Sequence, residues 1–376
     1  MKHTVLCGAD VLARDGVTML PTLGKCGLIT NPTGVLKNMT ATADMLRGLC
    51  DLTALFGPEH GVRGDAQAGA AVADHILDKS TGLPAYSFYG SGQAEAEGIM
   101  AGLDTVFFDI QDVGARFYTY QYTMTDAMLH CAKHGVRFVV LDRPNPIGGT
   151  KVEGTLLDRR FATFVGRYPT PTRPGLTIGE FARWINETEH MGCDLYVVPC
   201  EGWKREMDLD DTDLLFVQPS PNLPTVDTAY SYIGTCIFEG TNVSEGRGTT
   251  KPFELIGAPW LDVSTVLDRI GSQPGVYLRE AYFTPTFSKY AGELCHGIQL
   301  HVYDREAYTP FATGLRLFCA IRETHPDLLT TRSFLCNLLG DDAIQQPHFA
   351  VEDYIAREAE KVAAWQEQTK RIWLYD

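Results

Sequence analysis

The sequence predicts an α/β protein built on a mainly parallel sheet, followed by a second, smaller α/β domain. Three observations carry this. Short apolar runs alternate with longer segments of helical character through the first half of the chain, as in βα-repeating sheets. The central runs, such as Thr105-Val-Phe-Phe-Asp-Ile110, are apolar on both sides, which implies burial on both faces of the sheet. The chain of 376 residues is long for one core, so two packed domains are expected.

Taken in order, the strands are expected at Cys26–Thr30, Leu52–Phe56, Thr105–Ile110 and Val136–Leu141, with later ones near Leu195–Val198 and Leu214–Val217. Helices are expected between them at Ala41–Gly48, Gly92–Ala101, Tyr118–His134 and Thr177–Glu189, and Thr177 with Glu180 reads as a capping box. The Pro-rich stretch 218–224 and the Gly-rich stretch 238–248 mark the passage to the second domain, so the division is drawn at 1–235 and 236–376. There a strand is expected at Gly297–Tyr303, a helix around Phe311–Thr324 and a last helix near Val351–Arg371.

Composition narrows the class. With 44% hydrophobic and 21% charged residues the chain reads as globular, and no apolar run approaches the roughly 20 residues of a spanning helix. Thirty-two basic against 47 acidic residues, a formal charge of −15, argue against a broad nucleic-acid or anionic-membrane surface, so an anionic ligand must meet a local arginine cluster. The ten cysteines are scattered without a C-x-x-C pair and read as reduced core thiols. Met1–Gly8 lacks the long apolar region of a secretory signal, and a cytoplasmic address is expected. Dinucleotide, P-loop, zincin and hydrolase-elbow motifs are absent, and His296 with His301 is a poor zinc pair, so no metal and no cofactor are expected.

The loops that leave the strands are denser in chemistry. Thr30-Asn-Pro-Thr-Gly34, Phe56-Gly-Pro-Glu-His-Gly-Val-Arg-Gly64, Asp109-Ile-Gln-Asp-Val-Gly-Ala-Arg116 and Asp142-Arg-Pro-Asn-Pro-Ile-Gly148 are polar and stiffened by glycine and proline at carboxyl ends of strands. That edge is where open α/β sheets bind small molecules. In the second loop a rigid turn presents Glu59, His60 and Arg63; the bland alternative is a Glu59–Arg63 surface ion pair. A second carboxylate, Glu153 in Lys151-Val-Glu-Gly154, could divide acid and base roles with the first, or be a structural partner of Arg143. Asp109, Asp112, Arg116 and Tyr118 mix carboxylates, guanidinium and aromatic rings as sugar hydroxyls and faces require, with Asp112 and Arg116 more ligand-facing than the tyrosines. Asn31, Arg143 and Asn145 stand in the neighbouring loops, and Asn242, Glu245 and Arg247 in the loop 238–250, whose glycines let backbone approach a ligand.

Gly27–Gly34, Phe56–Gly64, Asp109–Tyr120, Asp142–Pro146, Val152–Gly154, Ser220–Thr225 and Phe238–Thr250 together resemble the NamZ-type exo-β-N-acetylmuramidases. The resemblance runs in order from about residue 8 to the end, with Cys295–Val302 and the final Leu374-Tyr375 also fitting. It implies a Rossmann-like amino-terminal domain without a dinucleotide, a smaller carboxy-terminal domain and a cleft between them. It implies removal of a terminal β-1,4-linked N-acetylmuramic acid from the non-reducing end of peptidoglycan fragments. By motif, Glu59 is the leading catalytic acid and Glu153 the second carboxylate, while Arg63, Arg116 or Arg247 would hold the lactyl carboxylate. Two other readings compete: a muropeptide-binding sensor without turnover, and a transferase dependent on a sugar phosphate or nucleotide, the latter disfavoured by the missing phosphate-binding glycines. The two-carboxylate scheme has an exception in which the substrate's acetamido oxygen attacks, and the sequence leaves both routes open.

Overall fold

The structure, a computed structural model, describes residues 2–58, 61–62, 75–88, 90–346 and 348–376. Its larger sheet contains β1 (Lys25–Thr30), β2 (Asp51–Gly57), β3 (His75–Leu77), β4 (Pro84–Ser87), β5 (Thr105–Asp109), β6 (Arg137–Leu141) and β7 (Leu195–Val198), in the order β3-β4-β2-β1-β5-β6-β7. Every neighbouring pair is parallel except β3 with β4. Residues of the central strands alternate between two cores. Phe107, Val139 and Leu141 face one side with α1 (Gly8–Asp15) and α2 (Thr42–Leu49). Val106, Phe108, Phe138 and Val140 face the other, with α3 (Gln93–Met100), α4 (Tyr120–His134) and α5 (Ile178–Thr188). The sheet is thus covered on both faces, which is why its strands read as continuous apolar runs. The capping box of α5 forms as expected, Glu180 N–H donating to Thr177 Oγ1 at 3.1 Å.

The smaller sheet is antiparallel: β8 (Leu255–Ala258), β9 (Val276–Phe283) and β10 (Cys295–Val302), in the order β8-β10-β9. Around it lie α6 (Val226–Thr235), α7 (Val263–Ile270), α8 (Pro310–Thr324), α9 (Phe334–Leu339) and α10 (Val351–Thr369). Helices α6 and α8 touch backbone to backbone. A Cβ on Gly314 would stand 2.1 Å from the Gly234 carbonyl oxygen, so only glycine fits that crossing. The expected strand at Leu214–Val217 does not form; no ladder partner reaches it, and Leu215 is 69% exposed. Among the described residues no helix is long and apolar enough to cross a membrane.

Candidate active site

The chain runs leftward from β1 through β2 to β4, then resumes on the other side of β1 at β5, so the topological switch lies between β1 and β5. In open α/β sheets ligands enter there. Here the switch is filled by the protein itself. Thr30 Oγ1 donates to the Asp109 carbonyl at 3.0 Å, Asn31 Oδ1 accepts from Thr33 N–H at 2.9 Å, and Gln111 N–H donates to Thr33 Oγ1 at 2.8 Å. Below them Asp109, fully buried, accepts from Arg143 through two bonds of 2.6 and 2.9 Å and from Thr42 Oγ1. The sequence has Asp109, Arg143 and Asn31 facing substrate; their polar atoms are instead spent on closing the sheet edge. Asn145 likewise donates to Leu176 O and accepts from Ile147 N–H.

Beyond the plug, a cavity of about 180 Å³ is walled by both parts of the chain. Phe117 and Tyr118 come from the turn that leads into α4 and Tyr120 from its first residue, Ser220 and Asn222 from the Pro-rich loop, and Tyr232 from α6. The wall is rigid because its rings interlock edge to face: Tyr118 with Tyr120 at 4.9 Å, Phe117 with Tyr232 at 5.1 Å and Tyr232 with Phe253 at 4.6 Å. Tyr120 Oη donates to the Pro219 carbonyl at 2.8 Å, and Asn31 Nδ2 reaches the same oxygen at 3.4 Å, which fastens the wall to the end of β1. Burial pushes the Tyr118 and Tyr232 hydroxyls well above the usual phenol range, so both stay protonated.

Glu239 and Arg247 complete the lining. Glu239 Oε1 accepts from Arg247 Nε at 3.1 Å and Nη2 at 2.6 Å, leaving Glu239 Oε2 and Arg247 Nη1 without partners among the described residues. The Arg247 guanidinium stacks 5.0 Å from the Phe253 ring. Burial raises the Glu239 carboxyl above the usual carboxylate range, and Arg247 offsets part of that rise. Glu245, buried, is tied up by Lys289 Nζ at 2.8 Å and stands 3.5 Å from Arg247, so it steadies the arginine rather than facing the cavity. Asn242 is also structural, bonding Leu328 O and Thr330 N–H.

Three further expectations change with the structure. Arg116, expected to face ligand, is fully buried and donates to the carbonyls of Thr155, Thr170, Leu338 and Leu339. Tyr118, expected to be the less exposed to ligand, lines the cavity. Glu153 does not pair with Arg143: it bridges antiparallel to Arg173, whose Nη1 lies 3.0 Å from Oε1, while Oε2 accepts from Phe311 N–H in the first turn of α8 at 3.3 Å. It is not among the residues lining the cavity. Asp112 is half-buried beside that wall. Its Oδ2 takes the Gly114 N–H at 2.8 Å, its Oδ1 is buried with no hydrogen-bond partner, and burial pushes its carboxyl up to about 7 against the pull of the Gly114 and Val113 N–H groups.

Glu59, His60 and Arg63 lie outside the described residues. They follow Pro58, at the carboxyl end of β2, which neighbours β1 and hence Asn31. The sequence reading misses Glu239, although it singles out the motif that contains it; the clue is its place eight residues before Arg247 across two glycines. No group of three or more His, Cys, Asp or Glu among the described residues could hold a metal ion.

Comparison with known proteins agrees over nearly the whole length. The family model "Exo-beta-N-acetylmuramidase NamZ, N-terminal" matches residues 26–227 and its C-terminal counterpart residues 230–375. The peptidoglycan beta-N-acetylmuramidase NamZ of Bacillus subtilis (strain 168) is 50% identical over 341 residues, covering 89% of this chain and 82% of that protein. Crystal structures of two DUF1343 family proteins from Bacteroides fragilis NCTC 9343 superpose with TM-scores of 0.89 and 0.79 at 32% and 30% identity, each covering 99% of both chains. The chain therefore belongs to the NamZ exo-β-N-acetylmuramidase family.

Proposed function

We infer that the protein is a peptidoglycan glycoside hydrolase, and that it releases a terminal β-1,4-linked N-acetylmuramic acid from the non-reducing end of peptidoglycan fragments without a cofactor. Family membership over both parts of the chain supports the class of reaction. The observation that carries the sugar is the cavity, where neutral tyrosine hydroxyls, Asn222 and an incompletely satisfied Glu239–Arg247 pair converge. Muramic acid differs from N-acetylglucosamine by an anionic lactyl ether, and Arg247 Nη1 offers that carboxylate a charge-assisted donor in a chain that otherwise repels anions.

Cleavage needs a proton on the leaving oxygen and an electron pair at the anomeric carbon. Glu59, two residues past the end of β2 in the sequence, supplies the proton. Glu239 Oε2 supplies negative charge on the cavity side, accepting the proton of the attacking water or steadying the cation when the acetamido oxygen attacks first. Glu153 acts through structure: it joins the loop after β6 to the start of α8 and holds the two halves of the cleft in register. The ten thiols are free, which fits work in a reducing compartment such as the cytoplasm.

A chromogenic β-N-acetylmuraminide tests this directly. The enzyme should release the chromophore unaided and leave the matching β-N-acetylglucosaminide nearly untouched. Saturable binding without release would make the protein a sensor, dependence on an added donor or acceptor would make it a transferase, and equal turnover of the two sugars would remove the role of Arg247.

A further inference from the structure

A larger hollow of about 660 Å³ lies on the smaller sheet, between loop 248–251, the turn Thr284–Phe287 and one face of β9 and β10. One loop borders both it and the cavity. Arg247 lines the cavity, and the next residue, Gly248, lines the groove. That junction is pinned: Gly248 sits at φ +84°, a Cβ there would fall 2.4 Å from the Phe287 carbonyl oxygen, and Thr286 N–H and Oγ1 both donate to Gly248 O at 2.9 Å. One fixed loop thus borders both hollows.

The register explains the shape of the groove. Arg279 lies opposite Gln299, and Ala281 opposite Gly297, so this face of the sheet carries one long cation beside a floor of small residues. The opposite face, with Leu278, Ile298 and Leu300, is turned to the core. Arg279 is exposed and steered by Gln299 Oε1, by His301 Nε2 at 3.1 Å and by the Glu280 carbonyl at 3.2 Å, none of them a carboxylate. In a chain of net charge −15, an oriented guanidinium with no acidic partner among the described residues is a place kept for an anion. Beside it Phe287 is 45% exposed, and threonine hydroxyls line the rest; the Tyr282 ring stacks on His296 on the other face of the sheet. An aromatic face, hydroxyls and one directed cation are the groups that bind an acetylated, acidic sugar chain.

We propose that this groove binds the glycan beyond the scissile bond, with Arg279 pairing to the lactyl carboxylate of the next muramic residue. The proposal rests on the glycosidase reading above and extends it from a terminal sugar to a strand. A peptide-free strand presents such a carboxylate on every second sugar, whereas a stem peptide converts it to an amide and removes the charge that Arg279 meets.

The test compares two substrates on the full chain. On the chromogenic muraminide, which has no sugar beyond the bond, Arg279→Gln and Phe287→Ala should leave kcat and KM within about twofold of the parent. On a tetrasaccharide of alternating muramic acid and glucosamine residues, Arg279→Gln should raise KM by about tenfold with kcat unchanged. Amidating the inner lactyl group should raise the parent's KM by the same factor and abolish the difference between the two proteins. Equal losses on both substrates, or no loss on the tetrasaccharide, overturn the proposal. Should the parent cleave neither substrate, the glycosidase reading fails by itself. Calorimetric titration of the tetrasaccharide then decides the groove, tighter binding by the parent than by Arg279→Gln supporting it and equal affinity overturning it.

Discussion

Arg143 and Arg247 each grip a carboxylate through two nitrogens, yet they do different work. Arg143 and Asp109 have side chains 6% and 0% exposed, every Asp109 oxygen is taken, and the pair sits at the sheet's switch point. Arg247 and Glu239 are 22% and 21% exposed and each keeps an atom without a partner among the described residues, beside a cavity. A charge at the carboxyl end of a strand is therefore no guide to chemistry unless some of its bonding capacity is left over. The closed pair holds the scaffold so that the open pair can act.

The widest contrast should come from emptying the closed pair. Asp109→Asn leaves the Arg143 cation buried with a neutral neighbour, and urea denaturation should show a loss of about 4 kcal/mol. A loss below about 1 kcal/mol would mean that the network is as open as the cavity. Glu59→Gln should cut turnover of an unactivated disaccharide by about two to three orders of magnitude at unchanged melting temperature, the usual worth of a positioned acid. Near-normal turnover would remove Glu59 from the reaction.

Glu239→Gln should lower kcat by about a hundredfold while Glu153→Gln costs about 2 kcal/mol of stability and little rate per folded molecule. Reversed outcomes would move the second carboxylate back to Glu153. The smallest expected effect concerns Asp112. Its carboxyl is raised to about 7 in the fold from an ordinary 3.8, so between those values the folded chain holds a proton that the unfolded chain has released. Stability then falls as pH rises from about 4 to about 7. Asp142, raised to about 6 chiefly by burial, adds to the same slope. Asp112→Asn should flatten the slope and gain about 1 to 2 kcal/mol relative to the parent at pH 8. Parallel stability–pH curves for the two proteins would show that Asp112 is charged without penalty.

The contrast also explains how much of the molecule is legible in its sequence. Strands buried on both faces announce themselves, and β1, β2, β5, β6 and β7 fall within a residue or so of their expected limits. β9, Val-Tyr-Leu-Arg-Glu-Ala-Tyr-Phe, gives no such signal because half its residues face water and its pairing comes from a strand a dozen residues on. Leu214–Val217 misleads for the opposite reason, an apolar run without a neighbour to pair with. In the site, the Gly-rich loop marks Arg247 correctly as a cavity residue. Arg116 looks the same on paper, because carbonyl acceptors contributed by distant loops leave no mark in the sequence around an arginine. Glu153 invites the wrong partner because Arg173 meets it through a two-residue bridge with no strand pattern on either side.

Arg116 also constrains how the molecule can be made. Two of its four acceptors, Leu338 and Leu339, lie 222 and 223 positions ahead of it. During synthesis all strands of the larger sheet emerge well before those carbonyls exist, so Arg116 keeps half of its donors on water until they arrive, and closing so long a span is entropically slow. The amino-terminal part therefore completes the packing around Arg116 only when the second part arrives. The two halves recognised by separate family models are in this respect one cooperative unit, locked late and from within by a single side chain, and a chain cut between them should regain the native state only when both pieces are present together.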